Sequence, residues 1–392
     1  MEYFVTEYKT DSSAGSPGTK RAVLEDTIMH KGYMVTAGSR HLDSYISPIS
    51  ATVVTRLEAA GVAILGKTAV NEFGAAGFLS DEPMSTYYGA VDAVADGIAD
   101  FALCNDYTGI IGQQGAARGL YYIHPTYGTV SRYGLIPAVP SMDQIGILCK
   151  SPEDGFKILS IIAGKDEGDG AMLPDGSFDD SLIDIDSNDD MRNIRIGVPE
   201  NVVKCAENND GIIDFVEGFQ IADFELAYYE IYEQLMGIIC SAELSCNISR
   251  YDGVKFGYRA SNFTGIDELY LKSRSEAFGP DAKLAAMLGA MVLSHENYAR
   301  FYDKSMRILR LVKDSLEFET GEYDLIIMPA YSRKREQEHI DKPQKLLALQ
   351  ALGRLCGLPS VTVPTEDGGI TIIANAQCEQ LLYKVLQSTT AR

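Results

Sequence analysis

Residues 101–134, FALCNDYTGIIGQQGAARGLYYIHPTYGTVSRYG, decide the fold. The apolar run that ends in Cys104-Asn105-Asp106 reads as a buried strand. Gly109, Gly112 and Gly115 follow it, as a tight turn opening into a helix would require, and residues 125–134 are rich in turn formers. Backbone N–H groups at such a turn have no intrahelical partner. Tyr107, Thr108 and Gly109 are therefore a candidate loop for an anionic ligand or a developing oxyanion.

The flanking sequence extends the same alternation of strand and helix. Val53, Val54, Leu57 and Ala60 recur at helical spacing and lead into a strand over residues 62–65. A helix over residues 90–95 then precedes the strand at 101–104. This order predicts an α/β fold, a mixed, largely central β-sheet covered by helices on both faces. Further on, Ser151 is placed to cap a helix running to Ala163, and a strand is expected at 193–198. Residues 224–318 are mostly helical, with Tyr228, Tyr229 and Tyr232 as packing positions rather than a base-stacking platform. A strand at 323–330 precedes a helix at 342–356, which Gly357 and Pro359 end. Residues 360–376 form a hairpin that turns at Asp367-Gly368-Gly369. The expected organisation is a flexible arm over residues 1–22 and a single domain over 23–392. That domain contains an acidic, solvated loop at 165–190 and the helical insert at 224–318.

The 392 residues are 46% hydrophobic, enough for a large core, and the formal net charge is −21. Such a surface repels phosphate backbones, so direct nucleic-acid binding is disfavoured and a cationic partner is favoured. No apolar run approaches a membrane span, and the N-terminus lacks the order of a signal peptide. The expectation is a cytoplasmic protein with no membrane contact. The seven cysteines lack C-x-x-C spacing, and Cys240 and Cys246 fall on different faces of one helix. Cys104 ends the central strand, where alternation with Ala102 turns it toward the core. The five histidines show no ligand spacing, and His124 is a structural residue in a turn. Asp184, Asp186 and Asn188 begin like a calcium loop, but Asp189 and Arg195 replace the glycine and glutamate that such a loop needs. No metal and no cofactor is expected.

Four blocks carry a resemblance: ATVVTRLEAAGVAILGKTAVNEFG from Ala51, HPTYGTVSRYGLIPAVPSMDQIGIL from His124, SRYDGVKFGYR from Ser249 and SRSEAFG from Ser273. They resemble the amidase signature family. Within it they are most similar to the A subunit of the glutamyl-tRNA(Gln)/aspartyl-tRNA(Asn) amidotransferase, in the same order from about Leu24 onward. The resemblance implies a triad of a serine nucleophile, a bridging serine and a lysine. Its lysine aligns with Lys31, in KGYMVTAG. The bridging serine aligns with Thr86, in STYYG. The nucleophile, twenty-four residues further on, aligns with Ile110. The loop between Lys67 and Thr86 is shorter than the family's. The residues that would hold the charged groups of glutamine align with Leu309 and Leu347, with Arg310 adjacent to the first. The resemblance also implies a protein partner like the amidotransferase B or C subunit.

An isoleucine can neither attack a carbonyl nor accept a proton. The leading expectation is thus a catalytically silent relative that keeps its scaffold for a partner or ligand. A second is an active amidase with a shifted nucleophile, for which Thr86, Thr108 or Cys104 would stand in. A third takes GIIGQQG as a phosphate cradle, although its glycine spacing departs from the dinucleotide-binding fingerprint.

Overall fold

A computed structural model describes residues 3–8, 18–75, 89–174, 193–206, 210–316, 322–332, 344–366 and 368–390. The strands in chain order are β1 (Phe4–Glu7), β2 (Arg21–Glu25), β3 (Ala63–Thr68), β4 (Phe101–Asn105), β5 (Tyr121–His124), β6 (Ile145–Cys149), β7 (Arg195–Pro199), β8 (Gln220–Phe224), β9 (Leu325–Ser332), β10 (Ser360–Thr365) and β11 (Gly368–Ala374). All of them belong to one 11-stranded sheet, ordered β1-β3-β2-β4-β6-β5-β10-β11-β9-β7-β8. The neighbours β3, β2 and β4 run parallel, as do β9, β7 and β8, while the strands between them pair antiparallel. The sheet is therefore mixed, as the sequence predicts.

The helices are α1 (Thr52–Ala59), α2 (Gly89–Ala95), α3 (Ile110–Ala117), α4 (Pro152–Ile162), α5 (Glu200–Ala206), α6 (Asp210–Val216), α7 (Tyr232–Ile248), α8 (Ile266–Ala277), α9 (Pro280–Leu293), α10 (Lys304–Asp314), α11 (Gln344–Cys356) and α12 (Glu379–Thr390). They cover both faces, and β4 shows how the strand period sorts the core. Phe101 and Leu103 join an apolar cluster with Val53 and Leu57 of α1, Phe156 and Leu159 of α4, and Leu382 and Leu386 of α12. Ala102 and Cys104 point the other way, into a second cluster with Val91 of α2, Ile110 and Ile111 of α3, Met236 of α7 and Leu352 of α11. Burial on both faces is why β4 reads as a continuous apolar run rather than an alternating one.

Two expectations change. Within the presumed arm, Phe4–Glu7 forms an edge strand that pairs antiparallel with β3, and Tyr8 is buried. Residues 9–17, with the serine-rich segment, lie outside the described residues. The acidic loop is also not simply solvated at its start. Asp166 accepts hydrogen bonds from Thr52 and Ser131, each at 2.5 Å, and Asp169 pairs with Arg132 at 3.0 Å. Its remainder, including the calcium-like spacing, falls in residues 175–192 and is not described.

The Ser151 hydroxyl accepts the Asp154 N–H at 3.2 Å, with Pro152 in the first turn of α4. Removing that cap leaves a first-turn donor unpaired. Ser151→Ala is expected to lower unfolding free energy in urea by about 1 kcal/mol, and Ser151→Asp to retain it.

Candidate functional site

β4 ends at Asn105, and Asp106 starts the turn into α3. The chain reverses at Gly109, whose φ of +82° lies in the left-handed region. A second constraint applies there: a Cβ on Gly109 would come within 2.3 Å of the Gln350 Cβ, so α11 rests directly on the turn. The Asp106 carboxylate folds back onto the start of α3. It accepts the N–H of Ile111 at 3.0 Å and that of Gly112 at 2.9 Å. Arg354 of α11 donates to the same carboxylate and to the Asp106 carbonyl, both at 3.3 Å, and to Gln350 Oε1 at 2.9 Å. Gln350 in turn donates to Thr371 Oγ1 of β11 at 2.6 Å. The side chains of Asp106 and Arg354 are each 1% exposed. This is a fully desolvated ion pair with most of its hydrogen-bonding capacity used.

The start of α3 thus carries its own anion, on the N–H groups of Ile111 and Gly112 rather than on those of Tyr107, Thr108 and Gly109. Tyr107 is buried and donates its hydroxyl to the Phe73 carbonyl at 3.0 Å; burial pushes its pKa well up. Thr108 is buried, and Ile110 is 2% exposed within the apolar cluster that holds Cys104, Tyr107 and Tyr122. The Cys104 thiol is fully enclosed, and desolvation raises its pKa well above the usual value, which keeps it protonated. Thr86 lies outside the described residues.

Beside this turn, β2 and β3 deliver a second charged group. Glu25 ends β2 with its Oε1 accepting from Thr27 Oγ1 at 2.5 Å, and burial raises its carboxyl to about 8. Asp26 accepts from the Thr36 N–H at 2.9 Å and from the Thr36 hydroxyl at 2.5 Å. Lys67 of β3 donates to the Ile28 carbonyl and stands 3.9 Å from Asp26; burial lowers its pKa to about 8. The lysine expected in the pocket, Lys31, is not part of this group. It is exposed beside the turn at Gly32, with its backbone N–H on Ser50 Oγ at 3.2 Å. The enclosed ammonium in this region is Lys67.

The positions aligned with glutamine recognition are apolar and packed. Leu309 and Leu347 both belong to the larger core cluster. Arg310 is turned outward, its side chain 77% exposed and paired with Asp314. His124 is buried at the end of β5, and desolvation together with Arg354 holds it neutral. Among the described residues no group of His, Cys, Asp and Glu could hold a metal ion, and no helix is long and apolar enough to cross a membrane.

Sequence reading missed Asp106, Gln350, Arg354 and Glu25. Gln350 and Arg354 did leave a signal: they are the two polar residues, four apart, in the otherwise apolar run LLALQALGRLC, so both lie on one helical face. Asp106 directly follows a buried strand and opens a glycine turn, where a carboxylate can reach the amides of the next helix.

A large mixed sheet, a glycine turn at the C-terminal end of a central strand and a following buried helix together define an amidase-like fold. The chain belongs to the amidase family, whose model matches residues 22–86 and 89–382. Among its relatives, the A subunit of the glutamyl-tRNA(Gln) amidotransferase of Lachnoclostridium phytofermentans is 34% identical over 374 residues, covering 87% of this chain and 74% of the relative. In fold, the chain is similar to the A subunit of the Thermotoga maritima glutamyl-tRNA(Gln) amidotransferase, with a TM-score of 0.72 and 22% identity over 98% of this chain and 87% of that one. It is likewise similar to the native peptide amidase of Stenotrophomonas maltophilia, with a TM-score of 0.74 and 20% identity over 95% and 82%.

Glu25 gives the site a pH signature. Its folded value of about 8 lies above the ordinary 4.5, so the folded state holds this proton more tightly than the unfolded chain. Its stabilising contribution is complete below 4.5 and is lost as pH rises through 8. Urea titrations across this window are expected to show stability falling as pH rises, and Glu25→Gln is expected to flatten that slope.

Proposed function

We propose that this member of the amidase family no longer hydrolyses amides through a serine nucleophile, and that it serves in the cytoplasm as a scaffold for a protein partner or a ligand. The observation that carries the reading is the occupied start of α3. Asp106 already takes the N–H groups of Ile111 and Gly112 there, and the side chain at Ile110 is a buried hydrocarbon. In this reading Thr86 stands at the bridging serine and Ile110, twenty-four residues on, at the nucleophile position. Removing the attacking group from such a unit removes nearly all of its rate. Lys31, being exposed, stands outside the proposed site. An oxyanion bound at the N–H groups of Ile111 and Gly112 would also have to displace a carboxylate held by an enclosed guanidinium, at the cost of a buried ion pair.

Relatives that are amidotransferase A subunits support a protein partner in the manner of a B or C subunit. The net charge of −21 supports a cationic partner surface and argues against direct contact with nucleic acid. The charged groups of glutamine would meet Leu309 and Leu347, which are apolar and buried, so a free zwitterion is a poor fit.

Ammonia release from glutamine and from acetamide, followed on the purified chain, tests this reading. The expected result is no turnover above buffer, and none in Ile110→Ser, because the exchange leaves Asp106 and Arg354 in place. Turnover by the unmodified chain that disappears in Thr86→Ala, Thr108→Ala or Cys104→Ala would overturn it.

A further inference from the structure

Away from the α3 turn, the loop at residues 250–257 and residues 41–45 line an open cavity of about 510 Å³, a volume suited to a small organic molecule. We propose that this cavity is a binding site for an aromatic carboxylate. The inference goes beyond the function proposed above and does not depend on it, since a hydrolase and a scaffold could equally carry such a site.

The walls supply the recognition chemistry. Tyr45, Tyr251 and Phe256 offer flat apolar surfaces, and Phe256 is left 56% exposed. Arg250 and Lys255 also line the cavity, and among the described residues no carboxylate does. In a chain with 55 acidic against 34 basic residues, a concave surface with two cations and no acid is the reverse of the overall balance. Among the described residues the Arg250 guanidinium bonds only the carbonyl and side-chain oxygen of Asn247, through Nε and Nη2, which leaves further N–H groups to donate. Lys255 makes no ion pair among the described residues. The nearby Asp252 carboxylate is turned to the loop backbone, accepting the N–H groups of Val254 at 2.7 Å and Lys255 at 3.1 Å, so it shapes the loop.

Two further observations mark the place as built for occupancy. His41, also in the wall, is 3% exposed, and neither of its ring nitrogens has a hydrogen-bond partner among the described residues. An unpaired buried polar group is costly, and one that walls a cavity is a polar contact waiting for a ligand. The backbone behind it is strained as well. Ala37 and Phe73 both adopt left-handed φ values, 48° and 52°, and are joined by the Phe73 N–H on the Ala37 carbonyl at 2.8 Å. The Phe73 ring stacks on Tyr251 at 5.5 Å, and Tyr251 on His41 at 5.8 Å, so Phe73 backs the cavity wall directly.

Calorimetric titration of the full chain at low salt, with 2-naphthoate and with its neutral counterpart 2-acetylnaphthalene, tests the proposal. The expected result is saturable one-to-one binding of naphthoate, at least about tenfold tighter than the ketone. Binding should fall at least about tenfold in the Arg250→Ala/Lys255→Ala double variant, and both of those side chains are exposed. Lys313→Ala, a cation outside the cavity, should bind as the unmodified chain does. Failure of naphthoate to saturate, equal binding of the ketone, or unchanged affinity in the double variant would each overturn the proposal. None of these readouts depends on amide turnover, so this site and the proposed loss of hydrolysis can fail separately.

Discussion

The Asp106 carboxylate sits where the first turn of α3 would otherwise present unpaired N–H groups, and Arg354 holds it there from a helix 248 residues away in sequence. A helix start of this kind attracts negative charge, and it is satisfied equally well by a ligand, an oxyanion or a carboxylate of the chain itself. Here the chain supplies its own. Once the carboxylate is enclosed, Arg354 is required to neutralise it, and Gln350 and Thr371 are required to orient Arg354. Gly109 is required so that α11 can approach closely enough to make those bonds. Breaking such a pair from one side typically costs about 3–5 kcal/mol, so the cluster resists piecemeal change.

The same edge of the sheet gathers Glu25, Asp26 and Lys67, and these side chains are balanced differently. Asp26 and Lys67 share a loose pair; Asp26 accepts from the Thr36 N–H and hydroxyl, and Lys67 donates to the Ile28 carbonyl. Glu25 makes no ion pair among the described residues and is kept protonated by burial, with Asp106 adding to the effect. A chain of contacts leads outward from this charged centre: the Tyr107 hydroxyl on the Phe73 carbonyl, then Phe73 on Tyr251, then Tyr251 on His41. The packed turn and the open cavity are thus two ends of one aromatic column.

Local features were legible in the sequence. The period of β4, the Ser151 cap and the glycine turn are each specified by a few neighbouring residues and found where the pattern puts them, and the β10–β11 hairpin forms with Gly368 and Gly369 paired in β11 rather than in its turn. Features that depend on distant partners were not. Phe4–Glu7 has no apolar alternation long enough to announce a strand, and it becomes one only by pairing with β3 some sixty residues on. Lys31 and Lys67 look alike as letters. One is exposed beside the turn at Gly32, and the other lies on a strand covered by β1 and β2 on either side. The turn itself could be read as an anion site, but its occupant could not, because Asp106 acts as an anion only once α11 has closed over it.

The most direct measurement is amide hydrogen exchange at Ile111 and Gly112, read residue by residue under native conditions. If Asp106 permanently occupies these N–H groups beneath α11, both amides should exchange only through unfolding of the whole domain, as slowly as those of β4. Fast exchange at these two positions while β4 stays protected, and its slowing on addition of a small carboxylate or phosphate, would show an open anion site and contradict the account.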